Sequence, residues 1–69
     1  MNHEERIKRK AEVFFKEKLM AHISKFDGEF YNGRFFEIKE NHLIMHDRVV
    51  GLVKIFFCDI KILEEFKVR

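Results

Sequence analysis

The stretch Ile23-Ser24-Lys25-Phe26-Asp27-Gly28-Glu29-Phe30-Tyr31-Asn32-Gly33-Arg34 decides the fold. On either side of Asp27-Gly28 the hydrophobic pattern has a period of two, and Asp-Gly is a pair suited to the left-handed backbone of a tight hairpin turn. Turn chemistry returns at Asn32-Gly33, at Glu40-Asn41 and from Asp47 to Gly51. These punctuation points predict five strands, at about Met20–Phe26, Glu29–Lys39, His42–His46, Val50–Phe57 and Asp59–Glu65. Connections this short hold no crossover helix, so every neighbouring pair must be antiparallel. Gly33 falls inside the second strand, where a glycine marks a bend or bulge that lets one long strand serve two sides of a small barrel.

Before the strands the period is 3.6. Ile7, Ala11, Phe14, Phe15 and the stem of Lys18 share one stripe, which predicts an amphipathic helix over residues 2–18. Asn2 and Glu5 have capping-box spacing. Glu4 and Glu5 lie at the positive end of the helix dipole, with Lys16 and Lys18 at the negative end. The expected fold is mostly β with one N-terminal helix: a small five-stranded bent antiparallel barrel over residues 20–66.

At 69 residues the chain makes one domain, residues 1–69. A hydrophobic content of 46% supplies a core, and a net charge of only +2 leaves nothing to hold the chain open. The single cysteine, Cys58, closes no internal disulfide, so packing or assembly must do that work and a cytoplasmic location is expected. No apolar run is long enough to span a membrane, and the acidic opening Glu4-Glu5 is unlike a signal peptide.

The order of elements resembles the Sm-like (LSm) family, as do Ile23 to Gly28, Glu29 to Gly33, Arg34 to Ile38 and Leu43 to Asp47. Gly28 and Gly33 keep the family's five-residue spacing, and Val53 to Ile62 is similar to its last two strands. The resemblance implies a homo-oligomer, with a ring as one form, in which strand four pairs with strand five of the next copy, and it implies RNA as a partner. It also implies a uridine pocket, built in the family from an Asp and an Asn around the turn between strands two and three and an Arg-Gly pair between strands four and five. Here Lys39 stands in the Asp position, His42 near the Asn position, and Phe56-Phe57-Cys58 in place of Arg-Gly. The scaffold carries over; the pocket does not.

Charge adds a second pointer. Residues 1–18 hold six Lys or Arg against four acids, and residues 19–69 hold eight against eight. Within the helix, Glu4 with Lys8, Glu5 with Arg9 and Glu12 with Lys16 are i,i+4 pairs, which leaves Arg6 and Lys10 free to face phosphate. With Lys39 and His42 they form the candidate RNA-binding set. The alternating apolar residues Phe36, Ile38, Leu43, Met45, Val53, Ile55, Phe57, Ile60 and Ile62 fit inward positions. Nine phenylalanines exceed what such an interior holds, so the surplus is expected at a subunit interface, with Val50, Leu52, Phe56, Ile60 and Ile62 as its candidates.

No catalytic constellation, metal-ligand spacing or cofactor loop is visible, and no small-molecule substrate is indicated. His42 and His46 are four apart, which on a strand separates them by roughly 13 Å. Cys58 is expected to be buried and inert. The expected function is a non-enzymatic module that self-assembles and binds RNA or joins a ribonucleoprotein. The rival is an SH3-like protein-interaction or structural subunit without nucleic-acid affinity.

Overall fold

The structure is a computed structural model and describes residues 2–67. Helix α1 (His3–Glu17) is followed by β1 (Met20–Lys25), β2 (Phe30–Ile38), β3 (His42–Asp47), β4 (Gly51–Phe56), a 3-10 turn (Phe57–Asp59) and β5 (Ile60–Glu65). Asn2 caps α1 by accepting the Glu5 N–H at 2.8 Å, as its spacing predicts. The helix ends on Lys18, whose φ of 56° is left-handed and whose N–H donates to the Phe14 and Phe15 carbonyls. Ile7, Ala11 and Phe14 form the buried face, whereas Phe15 is exposed instead of lying under the helix.

All five strands form one antiparallel sheet in the order β4-β3-β2-β1-β5. The sheet is open, and β4 and β5 are its edges. Ile23, Leu43, Met45, Ile55 and Ile60 are fully enclosed in the core, which α1 helps to cover with Ile7, Ala11 and Phe14. Each contributes about 1.5–3 kcal/mol of apolar burial. No helix among the described residues is long and apolar enough to cross a membrane.

Two bulges change which side chains face inward. In β2, Phe35 lies opposite Met45 and Glu37 opposite Ile44, so Phe36 is an extra residue in the ladder. Phe35 is therefore buried and Phe36 is 59% exposed, the reverse of the alternation expected for an unbroken strand. In β5, Ile60 pairs with Lys25 and Ile62 with Ser24, and Lys61 is the extra residue. The core positions become Ile60 and Leu63, while Ile62 turns outward, correcting its expected inward placement.

Gly33 serves the fold by space. A Cβ there would overlap the His46 carbonyl oxygen and lie 2.8 Å from its carbon, so β2 and β3 can approach this closely only over a glycine. The neighbouring turn is organised by Asp47. Its buried carboxylate accepts the N–H groups of Asn32 (2.8 Å), Val49 (2.8 Å) and Val50 (3.0 Å), and Gly51 closes the turn at φ +87°. Burial pushes the Asp47 carboxyl up. The N–H groups of Val50, Val49 and Asn32, with a smaller contribution from His46, outweigh that and hold it below the usual carboxylate range.

Candidate nucleic-acid and assembly surfaces

Arg6 and Lys10 are exposed on one flank of α1, and neither belongs to an ion pair among the described residues. Helical spacing places Lys8 and Glu12 across the buried stripe from them. It is that far flank, with Phe15, that forms a cleft with Ile38, Lys39 and Glu40. The structure thus separates Arg6 and Lys10 from Lys39 and His42.

At the β2–β3 connection Lys39 donates its backbone N–H to the His42 carbonyl (2.9 Å), and its ammonium pairs with Glu37. His42 is half-buried, with Nδ1 2.7 Å from Asn41 Oδ1 and its ring edge-on to Phe56 at 5.6 Å. The Phe57 N–H donates to the Asn41 carbonyl, which brings this connection against the 3-10 turn. The adjoining cleft holds Glu4, Glu5 and Glu40 against the one cation Lys8. Lys39 and His42 consequently sit beside acids, an environment poorly matched to a phosphate.

A second cationic group lies at the other end of the sheet, where it went unseen in the sequence. Arg34 on β2 shares one cleft with Lys16, Lys18 and Phe15, and another with His46 and Arg48. None of these lysines and arginines is in an ion pair among the described residues. The Asp47 carboxylate faces backbone N–H groups, and the Arg48 guanidinium lies 5.4 Å from the centre of the Phe66 ring. Lys16 and Lys18 read in sequence as dipole partners. Arg34 and Arg48 are neighbours only because Arg34 pairs with His46 across the β2–β3 ladder. The signal was the pairing register, which the bulge at Phe36 conceals.

The assembly candidates fall on the sheet edges with one exception. Leu52 (59%), Phe56 and Ile62 (44%) are exposed on β4 and β5, and Val50 is exposed on the turn that leads into β4. Ile60 differs: its side chain is fully buried in the core of its own chain, because the β5 bulge turns it inward, so it offers no side-chain contact to a partner. Cys58 is exposed on the 3-10 turn, not buried. Desolvation, then the charges of Asp59 and Glu4, push its thiol up, which keeps it protonated. No three His, Cys, Asp or Glu side chains among the described residues gather as a metal site would require. No protein family, curated protein or solved structure matches this chain.

Proposed function

We propose that this chain is a non-enzymatic Sm-like module that closes its barrel by assembling with copies of itself and binds RNA. The observation that carries the reading is the pair of open edges. β4 and β5 both end the sheet without a partner, and Leu52, Phe56 and Ile62 expose apolar surface along them. An apolar edge of this kind, broken by a single lysine in β4, lacks the protection that monomeric sheets carry. Pairing in a ring satisfies both edges of every copy.

RNA as the ligand is supported by the unpaired cations, Arg6 and Lys10 on the helix flank and Lys16, Lys18, Arg34 and Arg48 at the sheet end. The latter lie beside Phe15 and Phe66, faces on which a base can stack. A second reading is favoured by Phe26, Phe30 and Phe36, which are exposed and line neither cleft at Arg34: an SH3-like module that binds protein through aromatics. Light scattering after gel filtration, with fluorescence anisotropy on a labelled single-stranded RNA, tests both. Assembly and salt-sensitive binding are expected. A mass of 8.5 kDa with no binding at low salt leaves the protein-interaction module.

A further inference from the structure

The cleft beside the C-terminal end of α1 combines buried rings with exposed cations. It encloses about 420 Å³ and is lined by Phe14, Phe15 and Phe35 together with Lys16, Lys18 and Arg34. Phe14 and Phe15 are adjacent in sequence, so about 100° of helix separates their directions. Phe14 takes the core side, where its ring lies 6.3 Å from that of Phe35, and Phe15 is left 44% exposed on the flank. The volume falls in the range of about 300–1,000 Å³ that holds small molecules, and core packing fixes two of the three rings before any ligand arrives.

Its charge has one sign. Lys16, Lys18 and Arg34 are exposed and have no ion-pair partner among the described residues. No acid lines the cleft, not even Glu17, which stands between the two lysines in sequence. Other exposed phenylalanines have a different setting: Phe26 shares a cleft with Lys25, Asp27 and Asp59, and Phe56 shares one with Glu4, Glu5 and Glu40. The C-terminal end of a helix ordinarily repels an anion, because its last carbonyls point outward unpaired. Here the left-handed turn at Lys18 occupies two of them. The Lys18 N–H donates to the Phe15 carbonyl (3.3 Å) and the Leu19 N–H to the Phe14 carbonyl (3.0 Å).

We infer that this cleft binds a small amphipathic anion, an apolar chain ending in a single carboxylate, with the chain along the phenylalanine rings and the carboxylate at the cations. A neutral apolar molecule would leave three positive charges unmatched. A bare anion would leave the Phe15 ring in water, and exposed cations hold such an anion weakly because solvent and salt screen them. A ligand with both parts removes apolar area from water at one end and accepts charge-assisted hydrogen bonds at the other. The site is one for a free small molecule, although it shares cations with the surface proposed above for RNA.

The test is an NMR titration of the full chain with hexanoate, octanoate and decanoate, and with octan-1-ol as the uncharged probe, all without RNA. Amide shifts are expected to gather at Phe14 to Leu19 and at Arg34 and Phe35. Affinity should rise about two- to four-fold for each added methylene, the upper figure corresponding to full burial. Octan-1-ol should bind several-fold more weakly than octanoate. Lys16→Gln with Lys18→Gln should abolish that preference for the carboxylate and leave the circular-dichroism melt unchanged, since both side chains are exposed. Arg6→Gln with Lys10→Gln removes the same charge elsewhere on α1 and should leave the preference intact. Phe15→Ser should flatten the dependence on chain length. Equal binding of octanoate and octan-1-ol, an affinity independent of chain length, or shifts spread over the other clefts overturns the proposal. Because no RNA is present, such a failure leaves the RNA reading standing, and a failure of RNA binding leaves the cleft standing.

Discussion

Replacing Gly33 with alanine adds one methyl group at the tightest point between β2 and β3. It would overlap the His46 carbonyl oxygen and stand 2.8 Å from the His46 carbonyl carbon and 3.1 Å from Asp47 Cα. All three are backbone atoms, so no side-chain rotation relieves the clash and the strands must part by on the order of 1 Å. Parting them strains the bonds that tie Asn32 to the next turn, its N–H to Asp47 Oδ1 (2.8 Å) and its carbonyl to the Arg48 N–H (2.9 Å). Overpacking costs about 1–3 kcal/mol and each weakened hydrogen bond about 1 kcal/mol. The sum, about 3–5 kcal/mol, is comparable with the whole stability of a domain this small, roughly 3–10 kcal/mol. At about 4–8 °C per kcal/mol, Gly33→Ala should lower the melting temperature by at least about 12 °C, or leave the chain unfolded, in a circular-dichroism melt. Gly28→Ala is the control: φ is +93° and nothing stands within 4 Å, so only backbone strain of about 1 kcal/mol applies. A Gly33→Ala protein melting within a few degrees of the parent would refute the close-approach argument.

Asp47→Asn keeps one acceptor oxygen and puts an NH2 donor in place of the other, so one or two of the three N–H groups lose their acceptor, which should cost about 2–3 kcal/mol by thermal melt. Because the folded carboxyl lies below its unfolded value near 3.9, the stabilisation is full above that pH and is lost as the pH falls through the folded value. The asparagine variant should lose this share of the acid dependence. Lys18→Gly relieves a left-handed residue and should raise the melting temperature by a few degrees, equivalent to about 1 kcal/mol; no rise would mean that the cap carries no strain. Arg34→Glu with Arg48→Glu should reduce the salt slope of RNA binding by about 1.4 or more, which at 0.1 M salt is about 25-fold in affinity. Arg6→Glu with Lys10→Glu, measured beside it by anisotropy, shows which surface holds the phosphates: the set whose reversal leaves affinity unchanged does not. Leu52→Asp with Phe56→Asp should reduce the light-scattering mass to 8.5 kDa while the melt persists, since both side chains are outside the core.

Element order, the antiparallel hairpins from β1 to β4 and both helix ends were legible in the sequence, because caps, turns and periodicity are local; the pairing of β5 with β1, and not with its sequence neighbour β4, was not. Nor was side-chain facing in β2 and β5. Phe36 and Ile62 were misplaced, and Ile60, rightly placed inward, was wrongly also given to the interface, because a bulge is a property of two strands in register and no single strand announces which of Phe35 or Phe36 its partner will admit. The charge setting of Lys39 escaped for a related reason: Glu37 and Glu40 are near in sequence, but the approach of Glu4 and Glu5 on α1 is set by tertiary packing. The Arg34–Arg48 neighbourhood likewise exists only after β2 and β3 pair. Gly33 was legible as a special position and read as a bend or bulge; its role is instead close approach to β3, and the bulge lies at Phe36.

The sheet order has a kinetic consequence. β1 to β4 are joined as successive hairpins, each closing over a few residues, whereas β5 must return across the whole meander to pair with β1. Closing a loop of about forty residues costs more chain entropy than any hairpin here, and its compensation arrives only when Ile60 and Leu63 reach the core. The rate-limiting step of folding should therefore be the docking of β5. Until it happens β1, paired with β2 alone, has its other edge open along Ala21 and Ile23, so a nascent or partly folded chain exposes a different sticky strand from the ones the finished chain carries.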